Sequence, residues 1–158
     1  MERNRLSNII IHSSGLIMFL SLLVPVAANA SDSDQKVVDR RNLQQEFLEL
    51  YDAERFKQSI LPASRIVTLT EEIYGEKSFK LITPLNNLAS AYYMVEDFDN
   101  AQLLFLRCIE LIEGNQNIIS PELIEPLYGF GLTLNRFGQY QEAIDILQRA
   151  LRINHVNE

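Results

Sequence analysis

The chain has 158 residues, of which 47% are hydrophobic and 22% charged, and this balance excludes a wholly disordered protein. Its single cysteine excludes an internal disulfide framework. The formal net charge of −7 argues against a nucleic-acid partner, because an acidic surface repels phosphate groups.

The first thirty residues have the pattern of a secretory signal peptide. Arg3 and Arg5 precede the apolar run LIMFLSLLVPVA, and small residues at Ala28 and Ala30 precede a polar stretch. The run is short for a bilayer span, which needs ~20 residues. We therefore predict cleavage after Ala30 and export, to the periplasm in a Gram-negative bacterium and otherwise by secretion. The alternative is a membrane anchor through residues 9–27, and only an uncleaved anchor would bring the chain to a membrane.

The rest of the chain contains an internal repeat. The segment PLNNLASAYYMVEDFDNAQLLFLRCIEL (84–111) aligns with PLYGFGLTLNRFGQYQEAIDILQRALRI (126–153) at an offset of 42 residues, and a weaker copy lies one further step back. The predicted organisation is a signal peptide over 1–30, a polar linker over 31–41 and a repeat domain over 42–158, with repeats at about 42–78, 79–120 and 121–158.

Each copy is predicted to form two helices. In the second copy, Leu85, Leu88 and Ala89 recur on one helical face, and Asp97 is placed to cap the helix that follows. The predicted helices cover 42–53, 56–74, 79–95, 98–113, 121–136 and 140–154.

Small residues are spaced for close helix crossings in the last copy. Ala143 and Ala150 leave room where the two backbones meet, and we expect Tyr140 to fill the wedge beside the turn. Gly138 allows the chain to reverse, since glycine tolerates a positive φ. One helical hairpin cannot bury its apolar faces alone, whereas stacked copies can, so the predicted fold is an all-α solenoid of about three antiparallel helix pairs.

This pattern resembles the tetratricopeptide repeat, in the long 42-residue variety of kinesin light chains and many bacterial proteins. The resemblance implies a right-handed superhelix with a concave groove, in which a peptide or helical segment of a partner protein binds. The residues that carry it are Leu85, Leu88, Ala89, Tyr92, Phe98, Ala101, Phe105, Cys108 and Ile109, and then Leu127, Phe130, Gly131, Leu134, Gly138, Tyr140, Ala143, Leu147, Ala150 and Leu151.

The resemblance and the helical phase together predict a partner-binding groove on the first helix of each pair. Asn87 matches an asparagine that recurs along the groove of long-repeat relatives, whereas Gln45 and Gly129 replace it in the neighbouring copies. The predicted groove residues are Thr83, Asn86, Asn87, Ser90, Tyr93, Glu125, Tyr128, Leu132, Asn135 and Arg136, with Arg41, Gln44, Gln45, Leu48 and Tyr51 in the first copy.

A second predicted contact surface is the C-terminal edge of the solenoid. Leu104 and Leu111 are expected to face the next repeat, and their counterparts in the last copy are Ile146 and Ile153. We predict an uncovered stripe of Ile146, Ala150 and Ile153 that a second copy or a partner covers. The alternative is that the chain is the N-terminal part of a longer or membrane-anchored envelope assembly scaffold.

The sequence offers little for catalysis, and we predict no catalytic residue, no metal and no cofactor. Cys108 occupies a position that needs a small buried residue, so it is expected to be a core thiol. His155 lies near the C-terminus, and the carboxylates of "EDFD" at 96–99 lack the glycine and distant glutamate of a calcium loop. A hydrolytic enzyme that uses groove carboxylates is the remaining alternative.

Overall fold

A computed structural model of the chain describes residues 32–115 and 119–157, so the predicted signal peptide over 1–30 lies outside the described residues. Within those two ranges the structure contains six α-helices and no strand. The helices are α1 (32–52), α2 (Phe56–Tyr74), α3 (Ile82–Met94), α4 (Phe98–Asn115), α5 (Ile124–Arg136) and α6 (Tyr140–Val156), with short 3₁₀ helices at Phe79–Leu81 and Pro121–Leu123. None of the helices described is long and apolar enough to cross a membrane.

The chain divides into two compact units, Met1–Val38 and Asp39–Glu158, and the helix pairs considered below belong to the second unit. The predicted start of the first helix at residue 42 is wrong, because α1 already begins at residue 32. Acidic residues in its first turn favour this start, since carboxylates stabilise the N-terminal end of a helix. The Lys36 ammonium also pairs with the Asp32 carboxylate one turn earlier, at 3.2 Å.

The 42-residue period is visible in the turns inside all three helix pairs. Glu54, Glu96 and Gly138 occupy the same position in successive pairs and have positive φ angles of 57°, 62° and 77°. In each turn the next residue donates its N–H to a carbonyl five residues earlier, which closes the end of the first helix. These bonds are Arg55 to Leu50 (2.9 Å), Asp97 to Tyr92 (3.0 Å) and Gln139 to Leu134 (3.0 Å). The predicted reversal at Gly138 is confirmed, as is the cap at Asp97, whose Oδ1 accepts the N–H of Asn100 at 3.3 Å.

The second helices of consecutive pairs are joined by a repeated ion pair. Arg107 on α4 meets Glu71 on α2, and Arg149 on α6 meets Glu113 on α4, each with 2.5 Å between nitrogen and oxygen. Both members of the second pair follow those of the first by 42 residues. Because these side chains are about one-third exposed, each pair contributes up to about 1 kcal/mol to stability.

The small residues lie at close helix contacts, as predicted. Ala143 is 3% exposed and Ala150 is 6% exposed. At Gly131 an added Cβ would come within 2.7 Å of Leu147 Cγ, so α5 and α6 approach each other closely only because this position lacks a side chain.

The prediction for Tyr140 is wrong. Its side chain is 64% exposed and does not fill a wedge between helices. The equivalent Phe98 in the second pair does so, because the third pair supplies neighbours for it. Its ring centroid lies 5.4 Å from that of Tyr93 and 6.2 Å from that of Phe137.

The predicted exposure of the C-terminal stripe is also wrong. Ala150 and Ile153 are buried at 6% and 3% exposure, and Ile146 packs partly buried against the same apolar cluster. The predicted helical phase of α4 and α6 is wrong. Phe105 packs with the third pair, whereas Leu111 packs with α2 and α3. The exposed apolar side chains of α6 therefore include Tyr140 and Leu151, whose equivalents in α4 are covered.

Candidate functional site

The second unit contains a cavity of about 390 Å³ between the first helices of the three pairs. We call it the groove pocket. Its lining comes from α1, α3 and α5, with one residue from α4. The lining residues are Tyr51, Asn86, Ser90, Tyr93, Met94, Phe105, Glu125, Tyr128, Gly129 and Leu132.

Most of the groove residues that helical phase predicts lie around the groove pocket or an adjoining cavity. Six of the ten residues predicted on α3 and α5 line the groove pocket: Asn86, Ser90, Tyr93, Glu125, Tyr128 and Leu132. Thr83 lines an adjoining cavity of about 470 Å³ that shares Asn86 and Glu125 with the groove pocket. Asn87 is half-buried on α3 and Asn135 is exposed near the end of α5, and neither lines the groove pocket.

The floor of the groove pocket depends on a contact that sequence reasoning missed. The Phe105 ring extends from α4 to the backbone of Gly129, where an added Cβ would lie 2.3 Å from Phe105 Cζ. Phe105 is 2% exposed. The helical phase predicts Gly129 on the groove side of α5, where it also departs from the asparagine series, but not its contact with Phe105. Two features of the sequence point to a close contact at Gly129. It has no side chain between bulky Tyr128 and Phe130, and it lies two residues before Gly131, where α5 and α6 also meet closely.

Three tyrosines give the groove pocket aromatic walls with polar tips. The Tyr51 ring packs against Phe47 at 5.4 Å and edge-on against Phe56 at 5.0 Å between centroids. Desolvation by burial raises the pKa of Tyr51, so its phenol stays neutral. Tyr128 is 55% exposed and Tyr93 is half-buried. Such side chains bury apolar area while their hydroxyls stay in contact with water.

The end of the groove pocket near the start of α5 is acidic. Glu125 Oε2 accepts a hydrogen bond from Asn86 Nδ2 at 3.1 Å. Asn86 Oδ1 is buried and has no hydrogen-bond partner among the described residues, which costs about 1–3 kcal/mol for such a group. Glu122 lines the adjoining cavity, and the hydrogen bond that its carboxylate accepts from the Ser120 hydroxyl lowers its pKa. Only a reorientation of the Asn86 amide would expose this oxygen to an N–H donor of a ligand.

The opposite end carries a fixed positive charge. The Arg136 guanidinium lies 5.9 Å from the Tyr93 ring centroid and 5.6 Å from that of Phe98, and its Nε–H donates to Tyr93 Oη at 3.4 Å. The hydrogen bond to Tyr93, followed by electrostatic interactions with Tyr93 and Glu96, raises the pKa of Arg136. Arg136 is not among the lining residues of the groove pocket. Its guanidinium lies beside Tyr93, which lines the pocket, and remains open to solvent.

The single cysteine has the environment of a core thiol, as predicted. Cys108 is buried, and its S–H donates to the Ile82 carbonyl at 3.6 Å. Burial raises the pKa of this thiol to about 12, so almost no thiolate exists near neutral pH. Among the described residues, no group of three or more His, Cys, Asp and Glu side chains is placed to hold a metal ion.

Comparison with known proteins agrees with this architecture. Residues 124–156, which cover α5 and α6, match the family model of the tetratricopeptide repeat. No curated protein sequence matches the chain significantly. The crystal structure of BtubC (BKLC) from P. vanneervenii shares the fold with a TM-score of 0.65 and 21% identity, over 74% of this chain and 47% of that one. This chain thus spans about half the length of that structure. The family match covers α5 and α6, and the 42-residue register extends the same helix-pair architecture to the preceding pairs.

Proposed function

We propose that this protein is an interaction module that binds a segment of a partner protein in the groove pocket. The observation that carries the proposal is a cavity of about 390 Å³ between the first helices of the three pairs, which aromatic, aliphatic and polar side chains line. Burial of an apolar partner side chain in such a cavity supplies affinity, and a polar rim supplies orientation.

The chemistry of the lining supports binding rather than hydrolysis. Glu125 is the one carboxylate among the lining residues of the groove pocket, and Asn86 already donates to it. Hydrolysis by paired carboxylates needs two acidic groups that flank one substrate bond, and the other carboxylate nearby, Glu122, lines the adjoining cavity and accepts a hydrogen bond from Ser120. The tyrosines, Leu132 and Met94 instead provide the large contact area on which peptide recognition depends.

The direct test is to capture partners from an extract of the source cells, with quantitative mass spectrometry. The full-chain Tyr128→Ala/Leu132→Ser variant should lose the proteins that wild type enriches, because it removes two walls of the groove pocket. Its matched control is Leu61→Ala/Leu103→Ser, which alters two side chains of α2 and α4 that are 69% and 66% exposed.

The far-UV circular dichroism of both variants should equal that of wild type, because all four side chains lie at the surface or on the rim. Undiminished capture by the groove variant, or equal loss by the control, would contradict binding in the groove pocket.

We also propose that the protein is exported and that its mature form begins at Ser31. The charged start, the short apolar run and the small residues at Ala28 and Ala30 support this proposal. N-terminal sequencing of the purified cellular protein should give Ser31 as the first residue. Protein that retains Met1 and stays in the cytosol would contradict export.

A further inference from the structure

We propose that the groove pocket selects an extended segment that carries a basic residue, a large apolar residue and an acidic residue at alternate positions. This inference rests on the proposed function and specifies the chemistry of the partner segment.

The first argument is the order of side chains along α5. Glu125, Tyr128, Leu132 and Arg136 follow one another at intervals of three, four and four residues, which places them along one helical face. Eleven residue steps at ~1.5 Å each separate the first from the last by roughly 16 Å. The face therefore presents a negative group, two apolar groups and a positive group in sequence.

The second argument is the length of an extended chain. A strand advances ~3.3 Å per residue, so side chains on the same side recur about every 6.6 Å. Residues at positions one, three and five then span about 13 Å, within reach of Glu125 and Arg136 at the two ends. The central residue enters the apolar part of the groove pocket between Tyr128 and Leu132.

The third argument favours an extended segment over a helical one. Asn86 Oδ1 lacks a hydrogen-bond partner among the described residues. A helical segment uses its own backbone N–H groups internally, whereas an extended one leaves them free to donate. A change of the Asn86 side-chain rotamer that turned its amide toward the pocket would pair the oxygen with such an N–H. It would break the hydrogen bond from Asn86 to Glu125, whose carboxylate would then be free for the basic residue of the segment.

The charges at the two ends set the preference for opposite charges on the segment. Glu125, with Glu122 in the adjoining cavity, favours a cation at one end. Arg136, which is exposed beside Tyr93, favours a carboxylate at the other end. A segment with two acidic or two basic residues would place one of them against a like charge.

The test uses synthetic, end-blocked peptides and fluorescence anisotropy with the full chain. The bipolar peptide is Gly-Arg-Gly-Phe-Gly-Asp-Gly, and the comparison peptides carry two Asp or two Arg in the charged positions. The bipolar order is also reversed, so that either chain direction is covered. The better bipolar peptide should bind about three- to tenfold more tightly than either comparison peptide, in line with the modest strength of exposed ion pairs.

Charge variants sharpen the test because both side chains are exposed and their replacement should leave the fold intact. The Glu125→Lys variant should prefer the peptide with two Asp, and the Arg136→Glu variant should prefer the peptide with two Arg. Replacement of Phe by Ala in the peptide, or of Tyr128 by Ala in the protein, should weaken binding of every peptide.

The outcomes separate this inference from the proposed function. Equal binding of all charge patterns, or an unchanged order of affinities in both charge variants, would overturn the inference while leaving a peptide-binding groove intact. Absence of binding by every peptide would also overturn it, and the capture experiment would then decide the proposed function alone. Peptide binding that Tyr128→Ala leaves unchanged would place the site elsewhere and contradict both.

Discussion

Replacement of Glu96 by glycine is expected to stabilise the protein. Glu96 has a φ of 62° and is exposed, and the equivalent residue of the next pair is Gly138, with a φ of 77°. A residue with a Cβ pays about 1–2 kcal/mol in this left-handed conformation. Glycine avoids that cost but loses about 0.5–1 kcal/mol more conformational entropy on folding. The net gain should be about 0.5–1 kcal/mol, which raises Tm by a few degrees in a chain of this size.

Urea unfolding followed by far-UV circular dichroism can measure this gain. The matched control is Glu110→Gly, the same chemical change at an exposed position inside α4, where glycine should cost about 1 kcal/mol. Glu54→Gly should behave like Glu96→Gly, because Glu54 has a φ of 57° in the first pair. If Glu96→Gly lowered the midpoint as much as Glu110→Gly does, the repeated left-handed turn would be refuted.

Three further predictions concern packing, ion pairing and pH. Ala143→Leu should destabilise the protein by about 1–3 kcal/mol through overpacking, whereas Gln141→Leu on the exposed face should cost under about 0.5 kcal/mol in the same urea assay. A double-mutant cycle on Arg149 and Glu113 should give a coupling of about 0.5–1 kcal/mol that shrinks at high salt, and zero coupling at low salt would contradict the ion pair. Folding raises the pKa of the Cys108 thiol to about 12. The stability that the protonated thiol contributes is therefore complete below the pKa that Cys108 has in the unfolded chain, and it is lost as the pH rises toward 12. Cys108→Ala should therefore flatten the stability profile between about pH 9 and 12, and an unchanged profile would contradict a buried thiol.

The period of the repeat could be predicted from the sequence because local features of each copy recur at the same spacing. The turn residues of the three pairs are 42 residues apart, as are the starts of α2, α4 and α6, and the small residues of the last two copies follow the same spacing. The first copy is weaker in sequence because Phe47 stands where the other copies have Ala89 and Gly131. In the structure Phe47 is 3% exposed and belongs to the core. In the first pair a bulky side chain therefore fills the position at which the later pairs have a small residue.

The groove residues could be predicted from helical phase only where one helix supplies them. Tyr93 and Tyr128 lie on the faces opposite the buried ones, which a single helix already determines. Phe105 belongs to a second helix and reaches the groove pocket only because Gly129 has no Cβ, a relation between residues 24 positions apart that no local pattern contains.

The phase of the last helix was ambiguous for a related reason. Both sides of α4 are apolar because one side packs on the preceding pair and the other on the following pair. The sequence alone did not show that Phe105 belongs to the forward side and Leu111 to the backward side. Two positions along a helix differ by about 200°, so Leu151 and Ile153 lie on nearly opposite faces, and the wrong phase exchanged buried Ile153 for exposed Leu151.

The most direct test of the central claim is site-specific photo-cross-linking on the full chain. A benzoylphenylalanine is placed at Leu132 in the groove pocket or, as a control, at exposed Leu103 on α4, and the protein is irradiated in an extract of the source cells. The account predicts adducts at position 132 that map by mass spectrometry to short segments of a few partner proteins and that decline when the bipolar peptide is added. Adducts of the same proteins in equal yield at position 103, or at position 103 alone, would contradict binding in the groove pocket.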